Sequence, residues 1–111
     1  MLKEATGIRR VILKTGRTDL RRGIDGLKAI ILLNGMDPLE KGTLYLFCGR
    51  KNDRIRGLTY EGDGFLLLTK RLSGKNRFQW PRDADDMKNI TLAQYQNLME
   101  GFTVEGSIRE V

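Results

Sequence analysis

Basic side chains in three short stretches are the residues of this sequence whose type and spacing could do chemistry. Arg and Lys contact phosphates, and phosphate contacts supply most of the affinity of nucleic-acid-binding proteins. The pattern therefore predicts a surface that binds nucleic acid through its phosphates. The residues concerned are Arg17, Arg21, Arg22, Arg50, Lys51, Arg54, Lys70, Arg71, Lys75 and Arg77.

The charge of the chain is unevenly distributed. Residues 1–82 hold 18 Lys and Arg against 8 Asp and Glu, a net charge of +10, whereas residues 83–111 hold 2 against 6, a net charge of −4. A basic body is typical of a protein that binds a polyanion. A small protein can also carry the same total charge of +6 simply because charge keeps it soluble. The charge alone leaves both interpretations open.

Side chains that could catalyse a reaction are scarce. The chain has no His, so the usual general base near neutral pH is absent. Cys48 ends an apolar stretch without a His partner, which indicates a buried, inert thiol. Carboxylates could hold Mg²⁺ only if two or three converged, and the contexts of these ones favour caps, turns and loops. We expect no enzyme activity, no metal and no cofactor. The carboxylates considered are Asp19, Asp25, Asp53 and Asp63.

Length and composition indicate one domain. A chain of 111 residues, 40% hydrophobic and 31% charged, has the balance of a soluble globular protein. No apolar run approaches the roughly 20 residues that span a bilayer, and the N-terminal residues have no apolar signal core. The single cysteine excludes an internal disulfide. We expect one cytoplasmic domain over residues 1–111, with no membrane partner and no small-molecule substrate.

The first half of the chain predicts a strand and then a helix. The β-branched run 8–14 is typical of a strand, and an apolar stripe at spacings of four and three predicts a helix over 18–34. Asn34–Gly35 ends this helix. Gly23 and Gly26 weaken a helix relative to Ala, so we expect them to let the helix approach the sheet closely.

Residues 43–80 predict an antiparallel meander in which apolar segments alternate with Gly-rich and Asp-rich turns. The Glu61–Gly64 turn is a strong hairpin signal, and Pro81 indicates that the last strand is an edge. Loops 49–53 and 73–76 then leave one end of the sheet together, and the 61–64 hairpin leaves the other. The expected strands are 43–48, 54–60, 65–72 and 77–80.

The remaining residues predict a polar surface loop over 82–88 and a closing helix over 91–101. Thr91 and Gln94 match a capping box, and Gly101 suits the end of the helix, with a frayed tail after it. The expected fold class is α+β, an antiparallel four- to five-stranded meander sheet with two helices.

Several residues have both a functional and a structural interpretation. Trp80 and Tyr60 could stack on the bases of a single strand, although we favour a core position for Trp80 under the closing helix. Asp25 and the Asp53–Arg54 pair could have a functional role, or they could form a structural ion pair or cap.

The order of several segments between Val11 and Phe102 resembles one family. The chain is similar to the accessory protein TnpB of insertion sequences of the sixty-six type, which is encoded beside a separate transposase and is unrelated to the RNA-guided nucleases of that name. The resemblance implies a role in the transposition of a bacterial mobile element and transfers no catalytic residues. The segments are TDLRRGIDGL, GMDP, LYLFCGRKNDRIRGLTYEGDGFLLLTKRL, RFQWP and ITLAQYQNLMEG.

Residues and resemblance together predict an accessory factor that binds DNA, at the element ends or non-specifically, during DNA recombination. Its expected partners are DNA, the element's transposase and other accessory proteins. The alternative is an adaptor that docks on the transposase through the sheet or the acidic closing region. A metal-dependent nuclease is the least supported interpretation.

Overall fold

The computed structural model describes residues 7–82 and 86–103. Its strands form one five-stranded sheet in the spatial order β4-β3-β2-β1-β5. No helix within the described ranges is long and apolar enough to cross a membrane. The elements are β1 Arg10–Lys14, a 3-10 helix Leu20–Arg22, α1 Gly23–Leu33, β2 Thr43–Cys48, β3 Arg54–Tyr60, β4 Phe65–Arg71, β5 Met87–Ile90 and α2 Leu92–Met99.

The α+β class is confirmed, and the sheet is mixed because one of its pairings is parallel. β2, β3 and β4 form the predicted antiparallel hairpins, but β1 runs parallel to β2, with Arg10 opposite Thr43. Parallel neighbours need a crossover connection, which the 3-10 helix and α1 supply. β2 is central and buried along its whole length, as its continuous apolar sequence predicts.

The prediction of a strand at 77–80 was wrong. Residues 77–80 form no strand and pair with none, so the meander has three strands. Phe78 N donates to Asn52 O at 2.6 Å, and Trp80 Nε1 donates to Lys14 O at 2.8 Å. The segment therefore runs along the end of the sheet where β1 and β2 finish, held by two buried aromatic side chains. Pro81 has no N–H for a ladder, which disfavours a strand here.

The fifth strand lies where the sequence predicted a polar loop. Met87–Ile90 pairs antiparallel with β1, so the second edge of the sheet is β5. The part of the predicted loop at 83–85 lies outside the described residues, as does the predicted tail from 104 onward. A strand of four residues containing Lys and Asn carries little periodicity, which is why the sequence did not reveal it.

Each face of the sheet is covered by one helix. Side chains alternate between faces along a strand, so neighbouring residues of β1 belong to different core clusters. The cluster under α1 contains Ile12, Leu20, Leu27, Ile31, Tyr45, Phe47, Leu58 and Met87. The cluster under α2 contains Val11, Leu13, Leu44, Leu46, Cys48, Ile55, Phe78, Trp80, Tyr95 and Leu98.

The start of the predicted 18–34 helix differs from a regular α-helix. Asp19 caps the 3-10 helix, its side chain accepting from Arg21 N at 3.1 Å, and α1 begins only at Gly23. Gly23 has φ +68° and ψ −166°. A Cβ added there would meet no atom within 4 Å, and one added at Gly26 would meet the Arg22 side chain. The expected close approach to the sheet was therefore wrong; Gly23 serves the change of backbone direction between the two helices.

The predicted ends of α2 are confirmed. The Thr91 side chain accepts from Gln94 N at 3.0 Å, and the Gln94 side chain accepts from Thr91 N at 2.9 Å. Gly101 has φ +92°, and Phe102 N donates to Asn97 O at 2.8 Å. These bonds satisfy orphan groups at both helix ends.

Replacing Gly23 by Ala should lower the free energy of unfolding by about 1–3 kcal/mol, because its φ and ψ fall in a region open essentially to Gly. Gly64→Ala is the control: a Cβ there meets nothing within 4 Å and the φ is not positive. That control should change stability by less than about 0.5 kcal/mol. Urea denaturation measures the free energy of unfolding of both variants. Equal losses of stability in the two variants would contradict a conformational role for Gly23.

Candidate nucleic-acid interface

Two of the predicted basic loops lie at one end of the sheet, as expected. Leu72 N donates to Asp53 O at 2.7 Å, which joins the end of β4 to loop 49–53. Arg54 lies directly opposite Arg71 in the β3–β4 ladder. The acidic hairpin is at the other end of the same two strands, where Glu61 N donates to Gly64 O at 2.9 Å.

The third basic stretch joins this end through the start of the crossover. Thr18 N donates to Cys48 O at 2.8 Å, which fixes the turn before the 3-10 helix to the last residue of β2. The Leu20 side chain lies so close to Gly49 that a Cβ added there would come within 3.1 Å of it. The 3-10 helix and loop 49–53 are therefore immediate neighbours.

A cavity of about 380 Å³ lies between the 3-10 helix and loop 49–53. Cationic side chains outnumber carboxylates around it by five to two, so its electrostatic character favours anions. We call these five the cavity cations: Arg21, Arg50, Lys51, Arg54 and Arg56. The two carboxylates are Asp19 and Asp53.

Arg21 is held by the capping carboxylate. Its Nε and Nη2 donate to the two oxygens of Asp19, each at 3.0 Å. These bonds, together with the bond from Arg21 N, hold the pKa of Asp19 well below its usual range, and the Arg50 charge lowers it further. The same pairing raises the pKa of Arg21. Asp19 therefore offsets part of the positive charge of the cavity at any physiological pH.

Arg56 is a cavity cation that the sequence analysis missed. Its Nη1 donates to Leu20 O at 2.7 Å, so it ties β3 to the 3-10 helix. Its Nε is buried and has no hydrogen-bond partner among the described residues. The available signal was its spacing of two from Arg54, which places both on the same face of β3.

Arg17 and Arg22 lie beside a second cavity, of about 300 Å³. It is separated from the first by the Thr18–Asp19 turn, which contributes to both. Ile30 and Leu33 of α1 also line it. These two arginines therefore flank the cavity cations without joining them.

The cations of β4 and of the loop that follows it do not all lie on the same surface. Lys70 and Arg71 are consecutive strand residues and point to opposite faces. Lys70 Nζ donates to Met99 O at 3.4 Å on the α2 side, where a cation suits the negative end of the helix. Arg77 Nη1 donates to the carbonyls of its own turn, at 2.7 Å to Asn76 O. Arg71 is exposed beside the cavity cation Arg54, and Lys75 is exposed in the following loop. Lys70 does not belong to the predicted surface.

Neither of the two candidate stacking residues lines the cationic cavity. Trp80 is only 1% exposed and packs in the α2 cluster, which confirms its core position and excludes stacking in this state. The Tyr60 hydroxyl donates to Gly62 O at 2.7 Å, and its ring lies 5.1 Å from that of Phe65. Tyr60 is therefore part of the acidic hairpin end.

The carboxylates considered for Mg²⁺ are dispersed. Asp19 and Asp53 line the first cavity, Asp25 lies in the first turn of α1, and Asp63 lies in the hairpin. In the part of the chain that the structure describes, no three His, Cys, Asp or Glu residues are grouped to hold a metal ion. Asp25 is placed to interact favourably with the positive end of the helix.

Cys48 is fully buried, as predicted. Burial raises the pKa of its thiol to about 12, and the nearby Asp53 charge adds to this effect. A thiol with so high a pKa is almost entirely protonated at neutral pH and is a poor nucleophile.

Fold and charge together define a small α+β protein with a cationic cavity at one end of its sheet. The chain belongs to the family described as IS66 Orf2 like protein, whose pattern matches residues 9–108. It is 34% identical over 96 residues to uncharacterized protein y4hO of Sinorhizobium fredii, covering 83% of this chain and 79% of that protein. It is 29% identical over 102 residues to uncharacterized protein y4jC of the same organism, covering 91% and 85%. No solved structure matches the chain.

This membership confirms the family resemblance and identifies the chain as an accessory protein associated with an insertion sequence. It connects the chain with the machinery of transposition.

The buried thiol should make stability fall at alkaline pH. Above the unfolded pKa of about 9, the unfolded thiol loses its proton, whereas the folded thiol keeps it up to about pH 12. The folded state then binds more protons, so the free energy of unfolding decreases as pH rises, by at most about 1.4 kcal/mol per pH unit. Cys48→Ala lacks this contribution. Urea denaturation from about pH 8 to about pH 10 should show a steeper decline for the wild type, and parallel profiles would contradict the assignment.

Proposed function

We propose that this chain is a non-catalytic accessory factor that binds DNA phosphates through the cavity cations during transposition of its insertion sequence, in the cytoplasm. The observation that carries the proposal is the cavity between the 3-10 helix and loop 49–53, where five cations face two carboxylates. Arg50 and Lys51 are exposed and have no hydrogen-bond or ion-pair partner among the described residues. They are therefore available to phosphates without breaking an internal contact.

The geometry supports phosphate contact more than base recognition. The cavity is lined by Arg and Lys side chains and by backbone of a short loop, and both aromatic candidates lie elsewhere. Phosphate contacts position a protein on DNA but carry no sequence information. Selectivity for the element ends would then come from DNA shape or from protein partners.

A second candidate function, docking on the element's transposase, is favoured by a different observation. Leu33, Leu32 and Leu39 are 84%, 59% and 51% exposed, at the end of α1 and in the loop that follows it. Large exposed apolar side chains close together in sequence are typical of a protein interface. This location differs from the sheet and the acidic closing region that the sequence suggested for docking.

Binding of the element's terminal repeats and of random duplex should weaken steeply with salt, by a log–log slope of roughly 0.9 per contacted phosphate. Replacing Arg50 and Lys51 together by Gln should weaken binding and reduce the slope by about 2, because two phosphate contacts are lost. Fluorescence anisotropy across a salt series measures both quantities.

The matched control replaces Arg9 and Lys41 by Gln. Both are exposed and lie near Glu61, at the opposite end of the sheet, and the change in net charge is the same. This control should keep the wild-type slope. Equal losses of DNA affinity in both double variants would show that only net charge determines binding. Absence of DNA binding at low salt would reject the proposal.

The docking function predicts that Leu33→Ser weakens binding of the purified transposase by about tenfold, the effect of losing roughly 1.4 kcal/mol of apolar contact. Leu92→Ser is the control, since Leu92 is 55% exposed but lies on α2. Titration calorimetry with each variant measures the affinity. Unchanged affinity for Leu33→Ser would remove α1 as the docking surface.

A further inference from the structure

The outer edge of β4 is a long, unpaired strand edge. β4 has seven residues and pairs only with β3, whereas β5 at the other edge has four. Within the described ranges, no backbone group outside β3 bonds to the backbone of Phe65–Arg71. Such an edge is a template for pairing with another chain.

The first four residues of β4, Phe65–Leu68, lack the features by which proteins usually block an edge, and the charged residues Lys70 and Arg71 lie only at its end. No charge and no proline occur between Phe65 and Thr69, and the three leucines between them are only half-buried. Charged residues, proline and short length are the common protective features. The first four residues of β4 therefore present an apolar edge.

The charges at the two ends of β4 determine which orientation a partner strand can take. Glu61 and Asp63 precede the strand in the exposed hairpin, and Arg71, Lys75 and Arg77 are exposed at its other end. A second copy in parallel orientation would place like charges together. In antiparallel orientation the acidic end of each copy meets the basic end of the other, and opposite charges across strands stabilise pairing.

We propose that two copies of this chain associate through the outer edges of β4, antiparallel about a two-fold axis at Leu67. This register brings the hairpin turn that contains Asp63 of each copy next to Arg71 of the other. Phe65 then faces Thr69, and Leu66 faces Leu68, so apolar residues meet on both faces of the joined sheet. The two-fold relation makes every contact away from the axis occur twice.

The internal arrangement of β4 supports this register. Arg71 lies directly opposite Arg54 of β3, and like charges in that position destabilise a sheet. Asp63 of the second copy would lie on the other side of Arg71 and would compensate this repulsion. The cavity cations Arg50 and Lys51 stay outside the shared edge, and the two cavities lie at opposite ends of the joined sheet.

A single pair of edge strands buries less than the roughly 1,600 Å² of a standard stable interface, so the dimer should be weak and concentration-dependent. Sedimentation equilibrium of the full chain without DNA should show a monomer–dimer equilibrium. Asp63→Lys and Arg71→Asp should each weaken the dimer by about tenfold or more, because each creates two like-charge contacts. The double variant should restore the dimer. Arg82→Glu is the control, because it reverses an exposed charge that lies beyond the end of β1.

Strict monomers at every concentration would overturn the proposal, and so would a dimer that neither single reversal weakens. Circular dichroism checks that each variant is folded. A second arm uses Leu67→Cys, because residues on the axis come within disulfide distance of each other. Mild oxidation should link this variant into dimers and leave Leu66→Cys largely unlinked, since position 66 faces position 68. Absence of the selective cross-link would also reject the axis at Leu67.

Discussion

The attachment of the crossover to the end of the central strand is the contact on which the cationic site depends. Thr18 N donates to Cys48 O, and Leu20 packs on Gly49. Because β1 and β2 are parallel, the chain must leave the end of β1 and return through α1 to the start of β2. The hydrogen bond at Thr18 holds the first part of that path against the end of β2. Together with the Leu20–Gly49 contact and the bond from Arg56 to Leu20 O, it keeps the 3-10 helix beside loop 49–53.

Charge counted along the sequence overstates the surface available to an anion. Arg21 is paired with Asp19, Lys70 donates to the end of α2, and Arg77 fastens its own turn. Each of these bonds uses a cation for local structure. The residues left for a polyanion are fewer and lie closer together than the ten predicted, which concentrates the favourable potential in one place.

The sequence predicted the helices, the central strand and the first two of three expected hairpins because their signals are local. Capping residues, Gly turns and apolar periodicity act over a few neighbours. The position of 77–80 depended instead on distant partners, since Phe78 and Trp80 bond to Asn52 and Lys14. The sequence pattern of an alternating apolar segment predicts a strand, whether the segment pairs in a sheet or packs along the end of the sheet.

The candidate site also depends on contacts between residues that are distant in the sequence, which local signals do not predict. The order of the hairpins predicted that loops 49–53 and 73–76 meet. The participation of Arg56 depended on the path of the 3-10 helix, because Leu20 O accepts a hydrogen bond from its Nη1. The separation of Arg17 and Arg22 from Arg21 also depends on that turn. The spacing of two from Arg54 indicates only that Arg56 shares a face of β3 with it, and the position of the turn depends on tertiary contacts.

The position of Trp80 gives the molecule an internal optical reporter. It is the single tryptophan of the chain, almost fully buried, and its indole is bonded to a backbone carbonyl at the end of β1. Its fluorescence should therefore respond to the loss of contact between the 77–80 segment and the sheet. Because it does not line the cationic cavity, the emission spectrum distinguishes a change in folding from occupancy of that cavity.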